Sequence, residues 1–118
     1  MRLPLALTGV AALVVALSAA PGPAAASAPG KACFWSEPGQ GGGSWCYTPG
    51  GYAEAAPPVQ RHARSFDNRS GGSVYAIHFG DRGCLHRELR TDDYDDDWTA
   101  WATLLDGVSD TTMGCAQG

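Results

Sequence analysis

Four cysteines constrain this chain more than any other feature of its sequence. They are Cys33, Cys46, Cys84 and Cys115, and no cysteine precedes them. An even number of cysteines in a short exported domain indicates a framework of disulfides. Cross-links of this kind matter most where the hydrophobic core is small and leaves only a narrow margin of stability. We therefore expect one small domain with two disulfides.

The first residues have the features of a secretory signal peptide. Arg2 gives a positive start, residues 3–17 are almost unbroken apolar sequence, and small residues typical of a cleavage site follow. The alternative is a transmembrane anchor, which needs a span of about 20 apolar residues, and this run is shorter. We predict a signal peptide at residues 1–28 and a mature domain at residues 29–118. The mature product is then secreted and free of the membrane.

Four cysteines allow three pairings. We favour Cys33–Cys46 with Cys84–Cys115, because each disulfide then stays within its own half of the chain. On the loop-entropy model each closure contributes about 3–4 kcal/mol of stability. The alternative is a zinc site, which we disfavour because no two cysteines form a C-x-x-C pair and because export favours oxidation.

Size and charge exclude several classes of function. The 118 residues carry 8 basic and 12 acidic side chains, a net charge of -4, whereas duplex-binding proteins are normally basic. The chain is too short for a Rossmann or TIM-barrel enzyme. Its 3 histidines and its serines stand in no H-E-x-x-H or G-x-S-x-G motif. We expect no nucleic-acid partner and no enzymatic activity.

Glycine and proline divide the mature chain into short segments typical of β-strands. Residues 32–35 and 44–47 flank a Gly-rich turn and predict a hairpin. Residues 74–79 alternate with period two and form the clearest strand, followed by a turn at 80–83 and a returning strand at 85–90. Strands at this spacing are typical of an all-β sandwich.

One segment near the end of the chain has helical spacing instead. Its apolar residues are Trp98, Trp101, Leu104 and Leu105. A run of aspartates precedes them and would cap a short helix, which Gly107 would end. The aspartates are Asp92, Asp93, Asp95, Asp96 and Asp97. We expect a solvated, helix-capping loop there; calcium and a basic partner are the alternatives for these carboxylates.

The two halves of the mature chain repeat one order of strand, Gly-rich turn, strand, longer excursion and closing segment. Phe-Trp-Ser-Glu-Pro at 34–38, with glycines at 41–43, resembles the opening hairpin of the βγ-crystallins. Leu-Arg-Thr-Asp-Asp-Tyr at 89–94 is similar to that family's Leu-Arg-x-Gly-Asp-Tyr, while Gln40 departs from its usual aromatic. The resemblance implies an all-β, βγ-crystallin-like sandwich of two Greek keys, with Gly42 at positive φ.

Within that fold the chain resembles secreted actinobacterial peptidase inhibitors of the metalloproteinase inhibitor family. The similar segments are Cys-Phe-Trp at 33–35, Ala-Arg-Ser-Phe-Asp-Asn at 63–68 and Val-Tyr-Ala-Ile-His-Phe-Gly at 74–80. Proteins of this group inhibit thermolysin-type metallopeptidases. The resemblance therefore implies an inhibitor whose partner is an extracellular metallopeptidase, and we expect it to be a monomer.

The resemblance also implies an inhibitory loop at Cys84 and Leu85, because the reactive bond of such inhibitors lies in a second-half loop beside a half-cystine. Thermolysin-type enzymes prefer a bulky apolar residue just after the scissile bond, and Leu85 would supply it. A disulfide at Cys84 would hold the loop rigid and reduce the entropy lost on docking. The alternative is a structural hairpin with Leu85 turned into the core.

Calcium is the one cofactor that the resemblance suggests. The family motif has six positions: two are Asn or Asp, the next two are variable, the fifth is Ser or Thr, and the sixth is Ser. Its copy at residues 60–65 has no carboxylate and two arginines, so it offers little to a calcium ion. The copy at 105–110 keeps Asp106 and Ser109, with Glu37 able to approach from the other half. The alternative is a turn whose side chains bond to backbone amides. We therefore consider two other functions: an extracellular calcium-binding or structural module, and an antimicrobial toxin of the same fold.

Overall fold

The computed structural model describes residues 28–118, so residues 1–27 of the predicted signal peptide lie outside the description. Within residues 28–118 no helix is long and apolar enough to cross a membrane. The strands are β1 (Ala32–Glu37), β2 (Gly41–Tyr47), β3 (Ala53–Glu54), β4 (Ser65–Asn68), β5 (Val74–Gly80), β6 (Gly83–Leu89), β7 (Tyr94–Asp95), β8 (Gly107–Ser109) and β9 (Ala116–Gln117). A single 3-10 turn, Pro38–Gln40, joins β1 to β2.

These strands form two sheets, so the predicted all-β class is confirmed. One sheet has the order β2-β1-β4-β7 and the other the order β3-β8-β5-β6-β9. Neighbouring strands are antiparallel except for β6 and β9, which run parallel.

Each half of the chain sends one strand into the sheet of the other half. Strand β3, from the first half, pairs with β8, and β7, from the second half, pairs with β4. In both halves the closing strand lies beside the opening strand, β4 beside β1 and β8 beside β5. The exchange makes the two halves one structural unit, because neither sheet is complete without a strand from the other half.

The hydrophobic core draws on buried side chains from both sheets. Phe34 on β1 and Phe66 on β4 meet the ring of Trp98, with centroid distances of 6.2 Å and 4.8 Å. Val74 and Ala76 on β5 enter the same cluster from the second sheet. Their spacing shows the period-two alternation that places every second residue of a strand on the core face.

The helix predicted for residues 98–105 is wrong: this segment consists of turns and bends. The amide of Trp98 donates to the carbonyl of Arg64 at 2.7 Å, and the carbonyl of Ala102 accepts from Ala63 at 3.0 Å. These bonds connect the segment to the facing excursion, while its own backbone makes a turn in which the amide of Leu104 donates to the carbonyl of Trp101 at 3.0 Å, three residues earlier and not the four of an α-helix. Trp98, Trp101 and Leu105 are nevertheless buried.

Two disulfides link the cysteines, which confirms the expected number. Cys33–Cys46 joins residues that stand directly opposite each other in the hairpin of β1 and β2. Cys84–Cys115 joins β6 to the residue just before β9 and encloses a longer stretch, with a sequence separation of 31. These are the two pairs favoured from the sequence.

The turn between β1 and β2 depends on Gly42 and on a buried serine. Gly42 has φ 73°, which confirms the positive φ expected there. A Cβ on Gly42 would lie 2.7 Å from Cγ of Glu37, so a larger residue would not fit. The hydroxyl of Ser65 on β4 accepts the amide of Gln40 at 3.0 Å and donates to the carbonyl of Glu37 at 2.8 Å. The turn is thereby fixed to the neighbouring strand.

One buried amide connects the two halves of the chain. Asn68, at the end of β4, is fully buried. Its Nδ2 donates to the carbonyls of Gly72, Leu89 and Arg90 at 2.9 Å, 2.9 Å and 3.0 Å. Its Oδ1 accepts from the amide and hydroxyl of Ser70 at 3.0 Å and 2.6 Å. Asn68 thus satisfies backbone groups from the inter-half loop and from the end of β6 at once.

Candidate functional site

The hairpin of β5 and β6 is the candidate site, because the predicted inhibitory residues lie on it. The two strands pair along their whole length up to Gly80 opposite Gly83. Asp81 and Arg82 alone form the turn, and both are exposed. Gly83 has φ 110°, a conformation that glycine adopts without steric cost. The hairpin therefore ends in a tight two-residue turn.

Strand β6 is held along its outer edge by the C-terminal segment. Leu85 stands opposite Ala116 of β9, and the Cys84–Cys115 disulfide lies directly beside this pairing. Nδ1 of His86 is 2.9 Å from the carbonyl oxygen of Cys115. The first half of β6 consequently has β5 on one side and the cross-linked C-terminal segment on the other.

Cys84 and Leu85 lie within β6 and not on the turn. Leu85 faces His78 across one edge of the strand and Ala116 across the other. Its side chain is half-buried and packs against the core cluster. The inhibitory role of Cys84 and Leu85 stays a prediction, while their position matches the structural hairpin considered as its alternative.

Asp106 lies directly before β8, and both oxygens of its carboxylate accept hydrogen bonds from protein donors. Arg61 approaches in a bidentate manner, Nε at 2.6 Å from Oδ1 and Nη2 at 3.0 Å from Oδ2. The amide of Phe79 donates to Oδ2 at 2.7 Å, and Nδ1 of His78 lies 3.2 Å from the same oxygen. The side chain of Asp106 is only 10% exposed, so these partners replace most of its solvent.

Asp106 and Arg61 continue the sheet beyond the end of β8. Strand β8 pairs with β5 only as far as Gly107 opposite Ile77. The next contacts to β5 come from Asp106, whose amide donates to the carbonyl of Ile77 at 2.9 Å and whose carboxylate accepts the amide of Phe79. Arg61 Nη2 lies 3.4 Å from the carbonyl of Phe79. The turn end of the hairpin is thus held on β5 by an ion pair and on β6 by a disulfide.

The ion pair shifts the titration of its members. Burial raises the pKa of Asp106, but the hydrogen bond from Arg61, the amide of Phe79 and the charge of Arg61 together bring that pKa below its ordinary value. The hydrogen bond to Asp106 raises the pKa of Arg61. Burial, followed by the negative charges of Asp106 and Glu54, raises the pKa of Tyr52. Asp106 is therefore a carboxylate at neutral pH, and Tyr52 a neutral phenol.

The predicted calcium ligands have other partners in the structure. Asp106 binds Arg61, the hydroxyl of Ser109 accepts the amide of Thr111 at 3.2 Å, and Glu37 is exposed at the end of β1 in the other sheet. Among residues 28–118 no three His, Cys, Asp or Glu side chains form a group suited to a metal ion. Calcium binding stays a prediction, and at Asp106 it requires the ion to compete with a guanidinium already bound to both oxygens.

The acidic run forms a turn, strand β7 and a second turn, and its aspartates are mostly exposed. Oδ1 of Asp97 accepts from Nη2 of Arg64 at 2.9 Å, and Oδ1 of Asp95 accepts the amide of Asp97 at the same distance. The acidic run is therefore a solvated loop, as expected, but the helix that it was expected to cap is absent from residues 98–105.

An exposed aromatic pair lies at the end of the hairpin. Phe79 is 47% exposed and Tyr52 is 37% exposed, and their rings meet edge to face with centroids 5.6 Å apart. We call Phe79, Tyr52 and Arg61, with the turn residues Asp81 and Arg82, the tip surface. On the opposite face of the hairpin, a shallow cavity of about 410 Å³ borders the turn and the two strands.

Sequence reasoning missed the tip surface. The alternation in residues 74–79 placed Phe79 on one face of a strand, but nothing local indicates whether that face is covered. Arg61 drew attention only as an obstacle to calcium, since its partner Asp106 is 45 residues away in the sequence. The glycine that follows Phe79 was the one usable signal, because it marks the point where the strand runs into a turn.

Comparison of the chain with protein-family models, with curated proteins and with solved structures gives no match in any of the three. What the site can do follows from its geometry: it presents a tight turn that is fixed on both sides, with an exposed aromatic ring and charged neighbours. Such a surface is suited to insertion into a cleft of another molecule.

Proposed function

We propose that the mature chain is a secreted inhibitor of extracellular metallopeptidases of the thermolysin type, which inserts the hairpin of β5 and β6 into the enzyme's cleft. The observation that carries the proposal is the double fixation of the turn end of the hairpin, by the Asp106–Arg61 ion pair on β5 and by the Cys84–Cys115 disulfide on β6. A hairpin turn that is already ordered loses little conformational entropy on docking, which favours tight binding. Inhibition then needs no chemistry from the inhibitor itself.

The sandwich, in this proposal, is a pair of Greek keys of the βγ-crystallin type. In a Greek key the fourth strand returns to lie beside the first. The pairing of β4 with β1 and of β8 with β5 supports this assignment. The exchange of β3 and β7 between the sheets gives the two motifs a shared core.

Secretion fits the two disulfides, because such bonds persist in oxidising compartments. The domain acts as a monomer, since one hairpin occupies one cleft. Its targets are peptidases met outside the cell.

An inhibition titration tests the proposal. The protein, purified after export from a bacterial host, is added to thermolysin and, as a class control, to the serine peptidase trypsin. We expect inhibition of thermolysin at about one inhibitor per enzyme and none of trypsin. A folded protein that leaves thermolysin fully active at large molar excess contradicts the proposal.

Two matched disulfide variants test whether the hairpin is the reactive element. Cys84→Ser with Cys115→Ser frees the turn end of the hairpin, whereas Cys33→Ser with Cys46→Ser removes a disulfide from the other sheet. Both variants are assayed at a temperature where near-UV circular dichroism shows them folded. We expect roughly tenfold or greater loss of inhibition in the first variant only, which corresponds to at least about 1.4 kcal/mol of binding. Equal inhibition constants in the two variants would place the reactive surface elsewhere.

A further inference from the structure

We infer that Phe79 is the residue that anchors the hairpin in its partner, by filling an apolar pocket in the peptidase cleft. The inference rests on the proposed function and names the side chain that decides its specificity. It also assigns to Phe79 the role that the sequence suggested for Leu85.

Exposure separates the two apolar candidates on the hairpin. Phe79 is 47% exposed beside the turn, whereas Leu85 is half-buried and packs against the core. The ring of Phe79 can therefore enter a partner's pocket without any rearrangement of the sandwich. An exposed ring leaves apolar area in water, and docking removes that area from solvent.

Tyr52 supports the ring of Phe79 from the side. The edge-to-face contact between the two rings has an interplanar angle of 74°. Tyr52 keeps this position because Gly107 lies beneath it: a Cβ on Gly107 would come within 2.5 Å of Cε1 of Tyr52 and of the carbonyl oxygen of Ala53. The absence of a side chain at Gly107 thus allows the aromatic pair to form.

The peptide groups of Phe79 are fixed as well as its ring. The amide of Phe79 is bonded to Asp106 at 2.7 Å, and its carbonyl lies 3.4 Å from Arg61. In most strands these positions would be filled by a neighbouring strand, and here two side chains fill them. An aromatic residue with an ordered backbone and few rotatable bonds is the kind of anchor that dominates protein interfaces.

Charged groups surround the apolar centre of the tip surface. Arg61 is half-exposed, with its charge balanced by Asp106, and Asp81 and Arg82 of the turn are both exposed. A central aromatic with a polar rim is the usual arrangement of a binding hot spot, because the rim excludes water from the centre. The complementary surface is an apolar pocket with polar edges, as in the specificity pocket of a peptidase that accepts bulky apolar side chains.

Substitution of Phe79 tests the inference, with Tyr94→Ala as the matched control. Tyr94 is 65% exposed and lies on β7 of the other sheet, so it is an aromatic residue of similar exposure outside the hairpin. The inhibition constant for thermolysin and the melting temperature are measured for Phe79→Ala, Phe79→Leu and Tyr94→Ala. We expect Phe79→Ala to weaken inhibition roughly ten- to a hundredfold, the usual effect of removing a hot-spot aromatic. Phe79→Leu keeps an apolar group and stays within about fivefold of the wild type, and Tyr94→Ala within about twofold.

The melting temperatures show whether each variant is folded, so that a loss of inhibition is assigned to the surface. A folded Phe79→Ala variant with wild-type inhibition overturns the inference while the proposed function stands. Failure of the wild-type protein to inhibit overturns the proposed function and this inference with it. Light scattering adds an independent outcome: a dimer of the wild type that Phe79→Ala dissociates would show that the ring docks against a second copy, and would also overturn the inference.

Discussion

Removing the buried amide of Asn68 should destabilise the domain more than any other single polar substitution considered for it. Asn68 is fully buried, and its side chain makes five hydrogen bonds, to three carbonyl oxygens and to two groups of Ser70. Asn68→Ala leaves the carbonyls of Leu89 and Arg90 without this donor at the point where the two halves meet. It also removes the acceptor that orders the loop to Gly72.

The magnitude follows from the cost of buried groups left without partners. Each such group costs about 1–3 kcal/mol, but the five bonds do not add, because the loop carbonyls regain water when the amide is gone. We expect a loss of about 2–4 kcal/mol in the free energy of unfolding. For a domain of this size, about 4–8 °C in Tm corresponds to 1 kcal/mol, so Tm should fall by about 8–32 °C. That loss is a large part of the about 5–15 kcal/mol that stabilises a typical domain.

Urea unfolding followed by fluorescence of the buried tryptophans measures this change. Ser70→Ala is the control, since it removes the bonds of the hydroxyl to Asn68 and to the carbonyl of Gly72 but leaves the Asn68 amide in place, and it should cost about 0.5–1.5 kcal/mol. Asn68→Asp adds a pH signature: a carboxylate facing three carbonyls has a raised pKa. The free energy of unfolding of the Asn68→Asp variant, relative to wild type, is then highest below about pH 3.9, the pKa of an aspartate in the unfolded chain. It falls as the pH rises through the pKa of that carboxyl in the folded variant. An Asn68→Ala variant within about 0.5 kcal/mol of wild type refutes the reasoning.

Three further substitutions probe the site and its supports. Gly107→Ala should lower the free energy of unfolding by about 1–3 kcal/mol, measured by thermal unfolding, because its Cβ meets Tyr52. Gly72→Ala is the control and should change little, since no atom lies within 4 Å of its Cβ position. The lowered pKa of Asp106 stabilises the fold above about pH 3.9, and this contribution is lost as pH falls through the folded pKa. Asp106→Asn should therefore flatten the acid limb of the stability curve, and an unchanged limb would contradict this. Leu85→Ala should lower the free energy of unfolding by about 1–2 kcal/mol with inhibition almost unchanged; a weaker inhibitor with unchanged Tm would restore Leu85 as the inhibitory residue.

The local signals in the sequence located the four longest strands, which form the two hairpins. Residues 74–79 alternate and lie before two glycines, and the structure has β5 at Val74–Gly80 and a returning β6 at Gly83–Leu89. The positive φ of Gly42 was expected from the family resemblance of the first hairpin, and the structure confirms it. Two disulfides followed from the number of cysteines and the predicted export.

The prediction of a helix was wrong because the spacing of the apolar residues indicated which side chains are buried but did not indicate how the backbone is bonded. Trp98 and Trp101 are buried as an apolar face would be, but the amide of Leu104 bonds to the carbonyl of Trp101 in a turn and not to a carbonyl four residues earlier. A hydrophobic pattern indicates which side chains avoid water, and it does not indicate which backbone partner is nearest. Tertiary contacts override local preference in so short a segment.

What the sequence alone determined about this protein is the all-β class, the two hairpins and the number of cross-links, because each depends on residues that are close in the chain or on simple counts. The tertiary structure alone decided the role of Asp106, which a motif suggested as a metal ligand and which binds Arg61 from 45 residues away. It also decided that Leu85 faces the core and Phe79 the solvent, since the two sides of a strand are equivalent until another layer covers one of them. Alternation fixes which residues share a face, and only packing fixes which face is buried.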